Sequence, residues 1–346
     1  MLRSFLAEVF IFIFSISKSP NSARYLVWAA MLSCLAIWAG FIITSAHAAE
    51  DGKSFFIGGL AGPMSGVLPP PGTYIASDTI IASAKAGASE VIPDAGLLTV
   101  GLQGDTLAEF LSVIWVAPKQ VLGGNFALGA GMIAGRADAQ VNAILSSIVP
   151  IKSSSADLDD KVTAFGDPVL IAKLGWHNGP FHWNIGSILN IPVGQYDAGQ
   201  LVNMGFNRWI LDVSTGFTYF DPKNGIEITA APGVTFNGKN SDTNYRTGTE
   251  FHVDVTAMAH LSKQFAIGVG AYHYEQLTGD SGAGAVLGSF KGQVSGIGPV
   301  LSYNFQLGSR PVSTKLRYFE DFSANNRMPA KVFLLSVAMP LSVSRQ

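Results

Sequence analysis

Apolar and polar residues alternate one by one through most of the chain beyond residue 72. In 251–261 the odd positions hold Phe251, Val253, Val255, Ala257, Ala259 and Leu261, and the even ones His252, Asp254, Thr256, Met258 and His260. Segment 207–219 repeats the pattern, with Trp209, Leu211, Val213, Phe217 and Tyr219 set against Arg208, Asp212, Ser214 and Thr218. In 181–191 Phe181, Trp183, Ile185, Leu189 and Ile191 alternate with His182, Asn184 and Asn190, and Phe333, Leu335, Val337 and Met339 share a face further on. Side chains of a strand point alternately to opposite faces, so each segment has one apolar and one polar side. The stretch 125–148 keeps phase throughout, with Arg136, Asp138, Gln140 and Asn142 on one face and Ala137, Ala139, Val141, Ala143 and Leu145 on the other. It predicts one long strand that projects beyond a membrane.

The connections sort by length. Short ones fall at 119–124, 178–180, 221–225, 262–264 and 307–309; long ones, rich in Gly, Ser, Asp and Asn, at 85–97, 150–162, 192–204, 237–248, 278–290 and 321–330. Short turns at one end and long loops at the other mark an outer-membrane barrel. Strands are predicted near 73–84, 99–117, 125–148, 163–176, 181–191, 205–220, 226–236, 249–261, 265–277, 291–305, 310–320 and 331–341. The fold class is therefore all-β, an antiparallel transmembrane barrel of about 12 strands, with both termini expected on the periplasmic side. Aromatic residues gather near both ends, as bilayer interfaces favour. Trp176, Phe181, Trp183, Tyr219 and Phe220 lie near short turns, and Trp209, Phe251, Tyr272, Tyr274 and Tyr318 toward long loops. A soluble sandwich would leave the outward apolar faces without a second layer to cover them.

Composition fits a membrane sheet. Apolar residues make up 48% of the chain and charged ones 13%, against about 25% charged in ordinary soluble domains. Beyond residue 48 no uncharged apolar run reaches the roughly 17–25 residues that a membrane helix needs. Lys and Arg together number 22 against 24 acids, with no basic stripe, so nucleic acid is not an expected partner.

The first 48 residues carry a different signal. A basic lead (Arg3, Lys18, Arg24) precedes the apolar run 25–44, and Ala46 and Ala48 form an A-x-A site. The expected organisation is a cleaved signal peptide over 1–48 and a barrel over 49–346, the uncleaved anchor being the alternative. Cys34 is the only cysteine, so the processed chain has none. Without the three bases and one acid of 1–48, the totals of 22 and 24 fall to 19 bases and 23 acids.

Taken in order, several stretches resemble outer-membrane proteins of the meta-pathway phenol-degradation (MetA-pathway) transporter-like family. They are PPPGTYIAS (69–77), GDPVL (166–170), LGWHNGPFHW (174–183), IPVGQYD (191–197), FTYFDPKNG (217–225), DTNYRTGTEFHVD (242–254), GVGAYHYEQLTGD (268–280), GIGPVLSY (296–303) and NNRMP (325–329). The resemblance implies a barrel in the outer membrane of a Gram-negative bacterium and a role in taking up aromatic or other hydrophobic compounds. It also implies contact with outer-membrane lipid and with the barrel assembly machinery. Such barrels commonly end on an aromatic residue, whereas this chain ends MPLSVSRQ.

Arg208, Asp212, Glu227, His252, Asp254, Lys315 and Arg317 all fall on the polar face and are the candidate lumen lining. Two readings stand side by side: the charges line a pore, or they satisfy one another and close it. Twelve strands fall well short of the 16–18 that keep a wide aqueous channel. Histidines offer little metal chemistry, since His252 and His260 lie roughly 26 Å apart along a strand, while His177 and His182 flank a short turn. Ser214 with His252 and Asp254 is the nearest approach to a hydrolytic triad, and no G-x-S-x-G elbow supports it. No cofactor is expected. The expected function is a channel for small hydrophobic or aromatic solutes, caught among the external loops and passed through a narrow polar lumen or sideways. Trp209, Tyr245, Tyr272 and Tyr274 are the candidate contacts at the outer end. The alternatives are a structural barrel with a closed lumen, or an outer-membrane enzyme.

Overall fold

The computed structural model describes residues 49–92, 96–148, 151–286 and 288–343. The segment 1–48, with Cys34, His47 and the A-x-A site, lies outside the described residues. Twelve strands form one closed antiparallel barrel. They are β1 (Gly72–Ile92), β2 (Gly96–Val116), β3 (Asn125–Ile148), β4 (Ile151–Asn178), β5 (Phe181–Asn190) and β6 (Ile210–Asp221). The second half comprises β7 (Ile226–Asn237), β8 (Glu250–His260), β9 (Phe265–Gln276), β10 (Gln293–Leu307), β11 (Arg310–Asn325) and β12 (Ala330–Val343). β1 pairs with β12 from Gly72↔Val343 to Ala84↔Ala330, which leaves the barrel wall without an edge. No described helix is long and apolar enough to cross a membrane.

The alternation sorts as the pattern requires. Ile185, Phe217, Ile228, Val255 and Ile267 point outward and are exposed; in a bilayer that exposure is to hydrocarbon, so it costs nothing. Their neighbours Asn184, Thr218, Glu227, Thr229 and Asp254 point inward and are buried. β5 has ten residues, and at about 3.4 Å each with a tilt near 40° it rises about 26 Å, the height of the apolar band.

Two expected external loops, 85–97 and 150–162, are strand wherever they are described. Residues 85–92 and 151–162 continue β1 and β4, and their registers with β2 and β3 run unbroken to Ile92↔Gly96 and Ile148↔Ile151. These stretches read as loops because Lys85, Asp157, Asp159 and Lys161 are polar, but above a membrane a strand can be polar on its outer face. β3 is the long strand expected, with Ala137 buried and Arg136 exposed in a 2.9 Å pair with Asp138. β4 meets β5 only from Val169↔Asn190 downward, so β1–β4 project as a four-stranded wing above the barrel.

Residue 49 is not at the periplasmic end where it was expected. Ala49 and Glu50 lie among the external loops, bonded to Asp280 and Thr247, and the chain from there to Gly72 descends inside the barrel.

Candidate functional site

The lumen is filled by residues 49–71. Near the top, Lys53 Nζ donates to the carbonyls of Asn203 (2.7 Å) and Gly205 (2.9 Å). Phe55 packs edge-on to Phe206, and Phe56 stacks on His252 at 4.4 Å between ring centroids and also meets Tyr272 and Tyr274. At mid-depth the wall carboxylates accept from backbone amides of the segment: Asp254 takes Gly59 N (2.7 Å) and Ala61 N (3.1 Å), and Glu227 takes Met64 N (2.7 Å). Cations take its carbonyls: Arg317 Nη1 donates to Gly59 O (2.8 Å) and Leu60 O (2.6 Å), and Lys315 Nζ to Pro63 O (2.6 Å). Lower down Thr218 Oγ1 accepts from Gly66 N, and Asn184 Nδ2 donates to Ser65 O.

This pattern answers a physical requirement. An extended segment inside a barrel has no strand neighbour, so each buried amide and carbonyl needs a partner from the wall. The run GGLAGPMSG (58–66) allows the approach. Gly59 has φ +80°, and a Cβ there would sit 2.0 Å from the Phe319 ring. Only glycine fits such a left-handed position against a wall side chain.

All seven expected lumen charges face inward, and their partners are now visible. Arg208 pairs with Glu50 (2.9 Å). His252 Nε2 meets Asp212 Oδ2 (2.7 Å), His260 Nε2 meets Glu227 Oε2 (2.8 Å), and Arg317 lies 3.6 Å from Asp78. Gly233 stands between Ser214 and His252, and a Cβ there would meet the imidazole at 2.4 Å. His252 therefore rests on Asp212, not Asp254; its Nδ1 has no hydrogen-bond partner, and Phe56 covers the ring. His177 and His182 do meet across their turn, with ring centroids 5.9 Å apart. Among the described residues no group of three or more His, Cys, Asp or Glu side chains could hold a metal.

The four aromatic residues expected at the outer end separate. Tyr272 and Tyr274 face the lumen and are buried, with their hydroxyls donating to Asp321 and to Glu250 (2.7 Å) respectively. Tyr245 belongs to the β7–β8 loop and donates to Asp280 (2.5 Å). Burial and that carboxylate push its phenol well above the ordinary tyrosine value. Trp209 is 55% exposed and turns to the outer wall, away from the other three.

Above the lumen, the wing offers a surface that the sequence did not single out. Its inward face carries Ala86, Leu102, Val141 and Leu158 in one cross-strand row, and Thr106, Ala137 and Val162 in another. Ala108, Ala137 and Val162 pack with Met204 of the β5–β6 loop, beside Val202 and Ile133, while Leu158 stays 43% exposed. The β5–β6 loop closes the side of the wing. Ile191 N and Gln195 N donate to the carbonyls of Pro168 and Phe165 (both 3.0 Å). Buried Asp167 accepts from Gly194 N (2.7 Å), Phe206 N (2.8 Å) and Asn190 Nδ2 (2.9 Å). Asp160 accepts from Leu201 N (2.7 Å), so here no β-ladder joins β4 to its neighbour, and the seam is a loop pinned on two carboxylates and two backbone hydrogen bonds.

Comparison with known proteins fits this architecture. An outer membrane channel from Pseudomonas putida F1 has a TM-score of 0.59 at 12% identity, covering 79% of this chain and 96% of that one. A FadL homologue of Pseudomonas aeruginosa gives 0.40 at 13% identity over 85% and 98% of the two chains. The translocator domain of the autotransporter NalP from Neisseria meningitidis gives 0.39 at 12% over 78% and 88%. No curated protein matches the chain. The family model described as "Putative MetA-pathway of phenol degradation" matches residues 86–335, a span that runs from the wing to β12 and leaves out the lumenal segment. With well over half of its length matched, this twelve-stranded barrel of the outer-membrane type belongs to the MetA-pathway phenol-degradation family.

Proposed function

We propose that the protein admits small apolar solutes, aromatic compounds among them, across the outer membrane of a Gram-negative bacterium, and that it performs no catalysis. The observation that carries this reading is the pairing of a filled polar lumen with an apolar wing. Wall carboxylates, Arg317 and Lys315 are spent on the segment 49–71, so the lumen offers no wide path to hydrophilic solutes. Leu102, Val141 and Leu158 offer apolar surface above it. A solute caught there reaches lipid by the seam between Phe165–Pro168 and the β5–β6 loop, where a few hydrogen bonds to Asp160, Asp167 and two β4 carbonyls replace a ladder. Family membership supports the aromatic class of cargo. An enzymatic reading has little to stand on, since His252 Nε2 is held by Asp212 and Nδ1 meets no hydroxyl. The processed chain begins after residue 48 and enters the membrane through the barrel assembly machinery.

The test is uptake of labelled toluene by cells lacking the protein and complemented with variants, alongside liposome swelling with small sugars. Leu158→Asp places a charge on the apolar row and is expected to cut toluene uptake about tenfold, since a carboxylate there repels an apolar ligand. Trp209→Ala, on the outer wall, is expected to leave uptake within about twofold of the parent. Sugar flux matching that of an open porin, or equal uptake by Leu158→Asp and the parent, refutes the reading.

A further inference from the structure

The upper end of the lumenal segment rests on a buried carboxylate. Asp280, in the β9–β10 loop, is 2% exposed. Its Oδ2 accepts from Ala49 N (3.0 Å) and the Tyr245 hydroxyl (2.5 Å), and its Oδ1 from Gly248 N (3.1 Å) and Gln276 Nε2 (2.5 Å). Each of these donors is neutral while Ala49 N belongs to a peptide bond. The cation next door, Arg208, is already paired with Glu50. A buried carboxylate held only by neutral donors keeps a large desolvation cost.

A second observation concerns the backbone. Ala49 has φ 69° and ψ 146°, a combination that is essentially reserved for glycine. The angle φ is defined by the carbonyl carbon of the residue before. If the bond to Ala48 is cut, no carbonyl remains to clash with the Ala49 Cβ, and the strained angle ceases to exist.

We propose that Asp280 is a receptor for the chain's own α-ammonium group, generated by signal-peptide cleavage between Ala48 and Ala49, and that this ion pair seats the lumenal segment. Hydrolysis of that amide by the export signal peptidase consumes one water. It leaves a carboxylate on Ala48 and a protonated amine on Ala49. The amine nitrogen stands where the amide now donates to Asp280, and it supplies the positive charge that the pocket lacks. Cleavage at the A-x-A site and closure of the lumen are thereby linked. An unprocessed or lengthened chain keeps both the strained Ala49 and the unpaired carboxylate.

The test uses the full barrel, purified from outer membranes in a Cys34→Ser background, with Ser65→Cys as a reporter. Ser65 Oγ is buried in the lumen without a hydrogen-bond partner, so a polar maleimide reaches a thiol there only when the segment leaves. Terminal sequencing is expected to give Ala49 as the first residue, and labelling of the reporter to be slow. Asp280→Asn is expected to raise the labelling rate at least about tenfold, because a buried ion pair loses one partner. A Gly-Ser pair inserted between Ala48 and Ala49, which alters no barrel residue, is expected to do the same while the barrel stays heat-modifiable on gels. A first residue other than Ala49, or slow labelling in either variant with the barrel folded, overturns the proposal.

Discussion

Asp254 is the point at which the hold on the lumenal segment can be measured. It is 3% exposed, and each carboxylate oxygen accepts one backbone amide, Gly59 N at 2.7 Å and Ala61 N at 3.1 Å. Asp254→Asn changes almost no volume but turns one acceptor into a donor, which then faces an N–H it cannot bond. A hydrogen bond to a charged acceptor contributes about 1.5–3 kcal/mol, and a buried donor left unpaired costs about 1–3 kcal/mol. Losing one such bond and weakening the other amounts to about 2–4 kcal/mol against seating. Because each 1.4 kcal/mol is a factor of ten, the unseated population should rise by on the order of 10²-fold. The barrel itself should persist, since the ladders β7–β8 and β8–β9 involve the backbone of Asp254 and not its carboxylate. In a planar bilayer, Asp254→Asn should show larger or more frequent conducting events than the parent, and in liposomes a measurable flux of small sugars. A folded Asp254→Asn barrel with the parent's conductance and no sugar flux would refute the idea that this carboxylate keeps the lumen closed.

Two further outcomes follow from the same geometry. Gly233→Ala drives a Cβ to 2.4 Å from the His252 ring and 2.9 Å from Ser214 Cβ; overpacking of this kind costs about 1–3 kcal/mol, read as a lower urea midpoint of the folded barrel. At alkaline pH the external loops should loosen. Tyr245 has its phenol raised by burial and by Asp280, so the unfolded loop gives up that proton first. The stabilisation is complete below about pH 10, the ordinary tyrosine value, and declines above it. Protease nicking of the 238–249 loop should accelerate above that pH in the parent and much less so in Tyr245→Phe.

The barrel was legible because its signal is periodic. Alternation over 207–219 and 251–261 placed Asp212, His252 and Asp254 inward and Leu211, Phe217 and Val255 outward, and the structure does the same. Short turns and the number of strands followed from Gly, Asn and Asp clusters such as DPKNG at 221–225. The wing reads as loops at 85–97 and 150–162 because a strand whose outer face meets water carries the polar residues of a loop. The lumenal segment escaped because it has no period at all. Its local cue was a glycine-rich run, 58–66, between the export site and the first strand, longer than a mere connector needs. Its partners were visible only as unexplained charges on the polar face, because Asp254 with Gly59, or Arg208 with Glu50, are contacts between positions far apart in the chain.

Those charges also explain how a barrel proposed to carry apolar cargo can have so polar an interior. A closed antiparallel sheet with lipid outside must turn its alternate residues inward, and an apolar interior at this diameter would collapse or fill with poorly bonded water. Here the interior is satisfied by the protein's own backbone: carboxylates take amides and guanidinium takes carbonyls along residues 59–64. On the proposed function the lumen is then a core, not a conduit. On that same proposal, selectivity against hydrophilic solutes follows from that core without a gate, and the apolar surface for solutes lies above it, on Leu102, Val141 and Leu158. The proposed exit from that surface is sideways, where β4 has lost its strand partner and two of its carboxylates, Asp160 and Asp167, hold a loop in place of a strand.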